Sequence, residues 1–157
     1  MKIRPAEAAD EDRLLAWAND RATRAAGFHV DKIAPEVHAA WLARRLAAPD
    51  SGRIWIGLDG RHPIGVVRVD RSADARLIVS ISLDPSERRH GRSLGLLEAG
   101  LEAAREAFPG SPFRAWIRTG NRASIALFER AGFTTPVRPV DRPDGVANGE
   151  FIVLERD

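Results

Sequence analysis

The sequence predicts an α/β fold in which helices cover both faces of a mixed β-sheet. Its length of 157 residues, 44% of them hydrophobic, suits a single core, and we expect residues 1–157 to form one domain. Short runs rich in Leu, Ile and Val alternate along the chain with segments whose apolar residues recur at helical spacing. The resulting order, β α α β β β α β α β, is typical of a mixed sheet flanked by helices.

The N-terminal third predicts a short strand and two helices. Lys2–Arg4 forms a strand that Pro5 ends, and the apolar residues of Asp10–Ala18 lie at helical spacing. A second helix begins near Pro35, because proline is favourable at a first helical position. This helix ends at the turn sequence Pro49–Gly52.

The middle of the chain predicts a β-hairpin followed by another strand. Arg53–Leu58 and Ile64–Val69 are apolar runs with the turn-forming pair Asp59-Gly60 between them. Arg76–Leu83 is a buried strand that ends at Asp84-Pro85, because proline lacks the backbone donor that a central strand needs. A loop therefore follows this strand.

The last third predicts two helices and two strands. One apolar helical stripe runs over Leu94–Phe108, and Phe113–Ile117 is the next strand. A second helix covers Asn121–Ala131, with Asn121 as its cap and Gly132 as its left-handed stop. Phe151–Leu154 is the final strand.

Composition excludes several kinds of site. The chain has no cysteine and no tyrosine, which excludes disulfides, thiolate nucleophiles and Cys-based zinc sites. Its four histidines are scattered without ligand spacing, so we expect no metal. The 24 basic residues are nearly all Arg and face 22 acidic ones, which does not imply a large nucleic-acid surface. No apolar run approaches the roughly 20 residues of a membrane span, so we expect a cytoplasmic protein without a membrane partner.

A basic loop after the strand Arg76–Leu83 has the composition of a phosphate site. The run Arg88-Arg89-His90-Gly91-Arg92-Ser93 opens a helix, and backbone N–H groups at a helix start are free to bind an anion. Small residues at Gly91 and Ser93 leave room for a phosphate, while the arginines add charge. The alternative is an ordinary solvated turn rich in arginine.

Two motifs at a suitable separation carry a family resemblance. The first is Ile81-Ser82-Leu83-Asp84-Pro85 followed by Arg88-x-x-Gly91-x-Ser93, and the second is Asn121-x-x-Ser124…Phe128…Gly132-Phe133. Together they resemble the GNAT superfamily of acyl-CoA N-acyltransferases, and the resemblance extends along the whole chain. It implies one N-acetyltransferase domain with a mostly antiparallel sheet and one splayed pair of parallel strands.

The resemblance also implies a place for acetyl-CoA, the expected co-substrate, between the splayed strands Arg76–Leu83 and Phe113–Ile117. Backbone groups of the first strand would bind the pantetheine arm like an added strand, and the loop would hold the diphosphate. The implied cofactor-binding residues are Ile81, Ser82, Leu83, Arg88, Arg89, His90, Gly91, Arg92, Ser93, Asn121, Ser124 and Phe128. For Asn121 and Ser124, a helix cap and a first-turn residue are the alternative roles.

Two departures from the family pattern leave the catalytic residues unassigned. Phe128 stands where the family often has a tyrosine that protonates the departing thiolate, and a phenyl ring has no proton to give. Ile78 stands where many members have a glutamate base. Contact between amine and thioester can itself supply about 7–11 kcal/mol of the barrier, so neither departure excludes catalysis.

Four side chains are candidates for the acceptor site: Asn19, His38, Trp41 and Arg68. Each also has a structural alternative: a helix stop for Asn19, a core position for His38 and Trp41, and plain solvent exposure for Arg68. Their surroundings resemble the branch of the family that acts on amino sugars, as in pseudaminic and related sialic-acid-like pathways. Arg68, or an arginine of the Arg21–Arg24 loop, would then face the diphosphate of a nucleotide-linked sugar.

The sequence therefore predicts an acetyl-CoA-dependent N-acetyltransferase that works as a monomer or a homodimer by direct attack of a primary amine. The acceptor is expected to be a small molecule, and the resemblance favours a nucleotide-linked amino sugar. A protein N-terminus or another small amine is the alternative acceptor. An acyl-CoA-binding module without catalysis is the alternative of another class, since the Tyr and Glu are missing. Nucleic-acid binding through the basic loop is disfavoured, because the aromatic residues are too few and scattered to stack on bases.

Overall fold

The computed structural model describes residues 1–141 and 150–157. These residues contain a six-stranded sheet in the order β1-β2-β3-β4-β5-β6. The strands are β1 Lys2–Pro5, β2 Gly52–Asp59, β3 His62–Arg71, β4 Leu77–Leu83, β5 Phe113–Arg118 and β6 Phe151–Arg156. All neighbours are antiparallel except β4 and β5, which are parallel. The predicted fold class, a mixed and mostly antiparallel sheet, is confirmed.

Helices cover both faces of this sheet. They are α1 Glu11–Ala18, α2 Arg21–Ala26, α3 Pro35–Ala47, α4 Ser93–Ala107 and α5 Arg122–Arg130, with short 3₁₀ turns at Ala8–Asp10 and Pro85–Glu87. All predicted strands and helices are present, and their ends differ by no more than a few residues. Within the described part of the chain, none of the helices has the length and apolar character needed to cross a membrane.

The helix α2 corrects one expectation, because the sequence predicted a loop over Arg21–Arg24. None of the residues of α2 is buried, so the helix has no apolar stripe by which its sequence could reveal it. It is set instead by a cap, since the side chain of Asp20 accepts the backbone N–H of Thr23 at 3.0 Å.

Strand alternation divides the apolar residues between two cores. On one face, Ile54 and Ile56 of β2 pack with Trp17 of α1 and Leu42 of α3. On the other face, β3 and β4 pack with α4, and Phe128 of α5 joins the same core. Neighbouring residues of a strand point to opposite faces, so the central strands are covered on both sides.

The helix α4 lies unusually close to the sheet, because glycines take the contact positions. A Cβ added at Gly100 would lie 2.5 Å from Cγ1 of Val67, and one at Gly65 would lie 2.8 Å from Cδ2 of Leu96. Real side chains do not tolerate such distances. The close contact fixes α4, and therefore its N-terminus, relative to the central strands.

Replacing Gly100 by alanine tests this contact. We expect Gly100→Ala to lower the free energy of unfolding by about 1–3 kcal/mol through overpacking against Val67, although alanine is the better helix former. Gly95→Ala in the same helix is the control, since its Cβ meets only Cε of Met1, at 3.6 Å. Urea unfolding followed by circular dichroism measures both. Equal stability of the two variants would contradict the close packing of α4.

Candidate active site

The parallel strands β4 and β5 stay together for only two residue pairs. Leu77 is opposite Phe113 and Ile78 is opposite Arg114, and the pairing ends there, although β4 continues to Leu83 and β5 to Arg118. The outer edges remain paired, β4 with β3 and β5 with β6. A wedge-shaped opening, called the β4–β5 gap below, therefore separates the two strands.

Two hydrogen bonds show which backbone groups of β4 face this gap. The N–H of Leu77 donates to the carbonyl of Pro112 at 2.8 Å, toward β5, whereas the N–H of Asp84 donates to the carbonyl of Ile64 at 2.9 Å, toward β3. Because these directions alternate along a strand, the backbone groups of Ile81 and Leu83 point into the gap and have no partner on β5.

Ser82, expected to contribute backbone groups as well, is oriented differently. It is paired with Val66, and its N–H and C=O are directed to β3. Its hydroxyl instead lies 3.2 Å from the hydroxyl of Thr23 in α2. Of the three adjacent residues proposed from sequence, two present their backbone to the gap and one presents a side chain to α2.

The loop after β4 leads from the gap to the start of α4. Asp84 caps a 3₁₀ turn by accepting the N–H of Ser86 at 2.8 Å, and the arginine loop, Arg88–Arg92, follows. Arg89 and Gly91 have φ values of 65° and 70°, the left-handed region in which glycine is favoured. A Cβ at Gly91 would meet nothing within 4 Å, so the space in front of this turn is open.

The N-terminus of α4 is open to an anion. Its N-cap residue, Arg92, makes no side-chain capping bond, so the first backbone N–H groups of this 15-residue helix, beginning at Ser93, are not capped by that side chain. The helix dipole places partial positive charge at the same point. The arrangement fits a phosphate, as the sequence predicted for this loop.

Carboxylates bind the first and the last arginine of the arginine loop. Arg88 donates from Nη2 to Oδ2 of Asp20 at 2.5 Å, and Arg92 contacts Asp59 at 2.6 Å and Glu87 at 3.2 Å. Arg89 and His90 between them are exposed. The loop therefore offers two arginines held by carboxylates and an exposed arginine, Arg89, between them.

The second motif lies at the far end of β5, beside the same gap. The side chain of Asn121 accepts the N–H of Ser124 at 3.1 Å and so caps α5, and Ser124 is half-buried in the first turn. Phe128 is 3% exposed and packs edge-on against Phe133 with ring centroids 5.0 Å apart. Phe128 thus belongs to the core and has no proton to donate.

A large cleft of about 1380 Å³ opens on the sheet face opposite α4 and α5. Ile78 and Trp116 line it where the pairing of β4 and β5 ends, and Phe28 and Arg68 line it further out. An acceptor molecule in this cleft would reach the gap from the face opposite the α4 side. Phe28 and Trp116 are not among the site residues predicted above. The signal for Trp116 is its place between the buried Ala115 and Ile117, because alternate residues of a strand face opposite sides of the sheet.

Arg68 is the charged group of this cleft that sequence predicted. Its Nε lies 2.9 Å from Oδ2 of Asp70, its guanidinium lies 5.4 Å from the ring of Trp41, and Arg45 contacts the same Asp70. Burial and the positive charges of Arg45 and Arg24 lower the pKa of Arg68 to about 10. Arg68 therefore stays charged at neutral pH beside the carboxylate of Asp70.

The other three acceptor candidates have structural roles. Trp41 packs half-buried against the core between α1, α3 and β2 and is outside the lining of the large cleft. Asn19 holds the backbone of Ile33 with both ends of its amide, at 2.8 Å each. His38 is 3% exposed, its ring lies 5.2 Å from that of Trp41, and its Nδ1 has no hydrogen-bond partner among the described residues. The structure brings Arg68 to the large cleft and leaves these three side chains outside its lining.

Comparisons with known proteins agree with this geometry. The family described as acetyltransferase (GNAT) domain matches residues 1–134. A ribosomal-protein-alanine N-acetyltransferase from Brucella melitensis is 24% identical, with 99% of each chain covered and a TM-score of 0.77. A spermidine N-acetyltransferase from Vibrio cholerae, in complex with CoA and spermine, is 15% identical, with 98% of this chain and 92% of that chain covered and a TM-score of 0.80.

A third structure, yncA from Salmonella typhimurium, is described as a putative acetyltransferase with its cofactor acetyl-CoA. It is 22% identical, with 99% of this chain and 90% of that chain covered and a TM-score of 0.75. At these identities the three structures share the fold with this chain. No curated protein sequence matches it.

The buried position of His38 predicts how stability depends on pH. Burial lowers the pKa of His38 below its ordinary value of 6.5, so the unfolded chain binds this proton at a higher pH than the folded protein does. The free energy of unfolding should therefore have its full value above about pH 6.5 and decrease as the pH falls below it.

His38→Phe, which keeps a ring against Trp41, should flatten this dependence between about pH 7 and pH 5. The exposed His29 provides the control His29→Asn, which should keep the slope of the wild type. Urea unfolding across this range measures the slopes. An unchanged slope in His38→Phe would show that His38 titrates normally in the folded protein.

Proposed function

We propose that this chain, which belongs to the GNAT acetyltransferase family and is an N-acetyltransferase, takes its acetyl group from acetyl-CoA and transfers it directly to a primary amine. The proposal includes one N-acetyltransferase domain over residues 1–157. The observation that carries it is the β4–β5 gap, in which β4 ends at Leu83, four residues before the arginine loop that leads to the open N-terminus of α4. The Vibrio and Salmonella structures described above contain CoA and acetyl-CoA.

The proposed cofactor site follows the order of groups along the chain. Ile81 and Leu83 supply backbone donors and acceptors at the gap edge for the pantetheine amides, and residues 88–93 hold the diphosphate. Asn121 and Ser124, which follow the end of β5, lie beside the gap. An unpaired buried backbone group costs about 1–3 kcal/mol, so a strand-like ligand that pairs with β4 is favoured.

The proposed reaction uses the backbone and the geometry of the gap more than side-chain acids. The amine nitrogen bonds to the acetyl carbon, the carbon–sulfur bond breaks, CoA leaves as the thiolate, and the amine proton passes to solvent. Backbone N–H groups of β4 polarise the carbonyl. Since the chain has no tyrosine and Phe128 is in the core, no phenol assists the leaving thiolate.

For the acceptor, we propose the amine of a nucleotide-linked amino sugar. The diphosphate of such a substrate would pair with Arg68 in the lining of the large cleft, where Arg45 contacts the same Asp70 carboxylate as Arg68 does. Phe28, 42% exposed, offers a ring for a base or sugar face.

Gly91→Glu tests the cofactor site, because it places bulk and negative charge in the arginine loop. We expect calorimetry to show acetyl-CoA binding to the wild type and a loss of at least about tenfold in affinity for the variant. Gly110→Glu is the matched control, since Gly110 also has a positive φ, of 74°, and open space around its Cα. Unchanged affinity in Gly91→Glu would refute this placement of the diphosphate.

A thiol-release assay with a panel of amines tests the acceptor. We expect turnover of UDP-linked 4-amino sugars in preference to spermidine and N-terminal peptides, and a rise in KM of about tenfold or more for the sugar in Arg68→Gln. Selective turnover of a peptide that is insensitive to Arg68→Gln would overturn the acceptor assignment and leave the acetyltransferase activity intact.

A further inference from the structure

A chain of polar contacts runs from the arginine loop to α2 and back to β4. Arg88 donates from Nη2 to Oδ2 of Asp20 at 2.5 Å and to the hydroxyl of Thr23 at 3.1 Å. The hydroxyl of Thr23 lies 3.2 Å from that of Ser82, beside the β4–β5 gap. These four residues, called the Arg88 bridge below, join the start of α2 to β4 and to the arginine loop, across 59 to 68 positions of the sequence.

We propose that Asp20 is a positioning residue which, through Arg88, links occupancy of the cofactor loop to the ordering of α2 at the acceptor cleft. The inference rests on the proposed function, in which the diphosphate of acetyl-CoA binds the arginine loop. Asp20 itself touches neither substrate. It acts by fixing Arg88 on one side and the first turn of α2 on the other.

The guanidinium of Arg88 can bind Asp20 and a phosphate at the same time. The guanidinium binds Asp20 and Thr23 through Nη2, and its Nε and Nη1 make no hydrogen bond or ion pair with the described residues. An arginine has five N–H donors, so donors remain for a phosphate while Asp20 stays bound. The hydrogen bond from Arg88 also lowers the pKa of Asp20, which keeps the pair charged at neutral pH.

The order of α2 depends on such polar contacts. The helix has six residues, and none of them is buried. A helix of this length is not stable by itself in water, so α2 relies on its cap Asp20 and on the contacts of Thr23. A phosphate that fixes Arg88 therefore also stabilises α2.

The residues that follow Thr23 connect α2 to the acceptor cleft. Arg24, the next residue, is one of the two arginines whose charge lowers the pKa of Arg68. Phe28, just beyond α2, lines the large cleft, and Arg118 at the end of β5 donates to the carbonyl of Gly27 at 3.0 Å. Binding of acetyl-CoA would thus order one wall of the acceptor cleft before the amine arrives.

Hydrogen exchange of α2 in the presence and absence of CoA tests the link without knowledge of the acceptor. The probe is CoA alone at saturation, and the readout is the ratio of exchange rates with and without it. We expect CoA to slow exchange in residues 88–93 and, about fivefold or more, in residues 21–26 of the wild type. A variant that only loosens α2 changes both states alike and leaves this ratio unchanged.

Asp20→Asn and Asp31→Asn form the matched pair. Asparagine is as good a helix cap as aspartate, so Asp20→Asn keeps the fold and removes only the charge that holds Arg88. Asp31→Asn makes the same charge change at an exposed side chain in the loop after α2. We expect CoA to protect residues 88–93 in both variants and to protect α2 only in Asp31→Asn.

Three outcomes would overturn the inference. The first is equal protection of α2 by CoA in Asp20→Asn and the wild type. The second is no protection of α2 in the wild type while residues 88–93 are protected, which leaves the proposed cofactor site intact. The third is no protection of residues 88–93 at all, which rejects the cofactor site and the link together.

Discussion

The early end of the pairing between β4 and β5 is the constraint on which the rest of the structure depends. Each strand has a complete antiparallel partner on its outer edge, so neither can relieve the other's unpaired inner edge by shifting register. Backbone donors and acceptors at Ile81 and Leu83 are left without a strand to bind. An extended ligand with amide groups would satisfy them as a seventh strand would, which is why we propose the gap as the binding site.

The helices position chemistry around this gap from opposite faces. Glycine contacts hold α4 close to β2 and β3, and this places its open N-terminus and the arginine loop beside the end of β4. On the other face, the loop after α2 brings Phe28 to the large cleft and β3 brings Arg68. In the proposed function, the cofactor diphosphate binds the arginine loop and the acceptor binds near Arg68, and the Arg88 bridge joins the arginine loop to α2.

Local signals in the sequence were enough to predict the strands, four of the helices and the loop, because each depends on neighbouring residues. Asn121 as a cap and Gly132 as a left-handed stop are confirmed by the contact with Ser124 and a φ of 81°. The helix α2 was missed because it buries nothing. Long-range features could not be predicted: Asp20 is 68 residues from Arg88 in sequence, and the direction of the Ser82 backbone depends on its register with Val66.

The central claim is that acetyl-CoA occupies the β4–β5 gap, and a crystal structure of the protein with CoA tests it most directly. The predicted result is pantetheine between the two strands, with the backbone of Ile81 and Leu83 at hydrogen-bond distance, the diphosphate on residues 88–93, and Ser82 still paired with Val66. CoA bound elsewhere on the molecule, with the gap empty, would contradict the account.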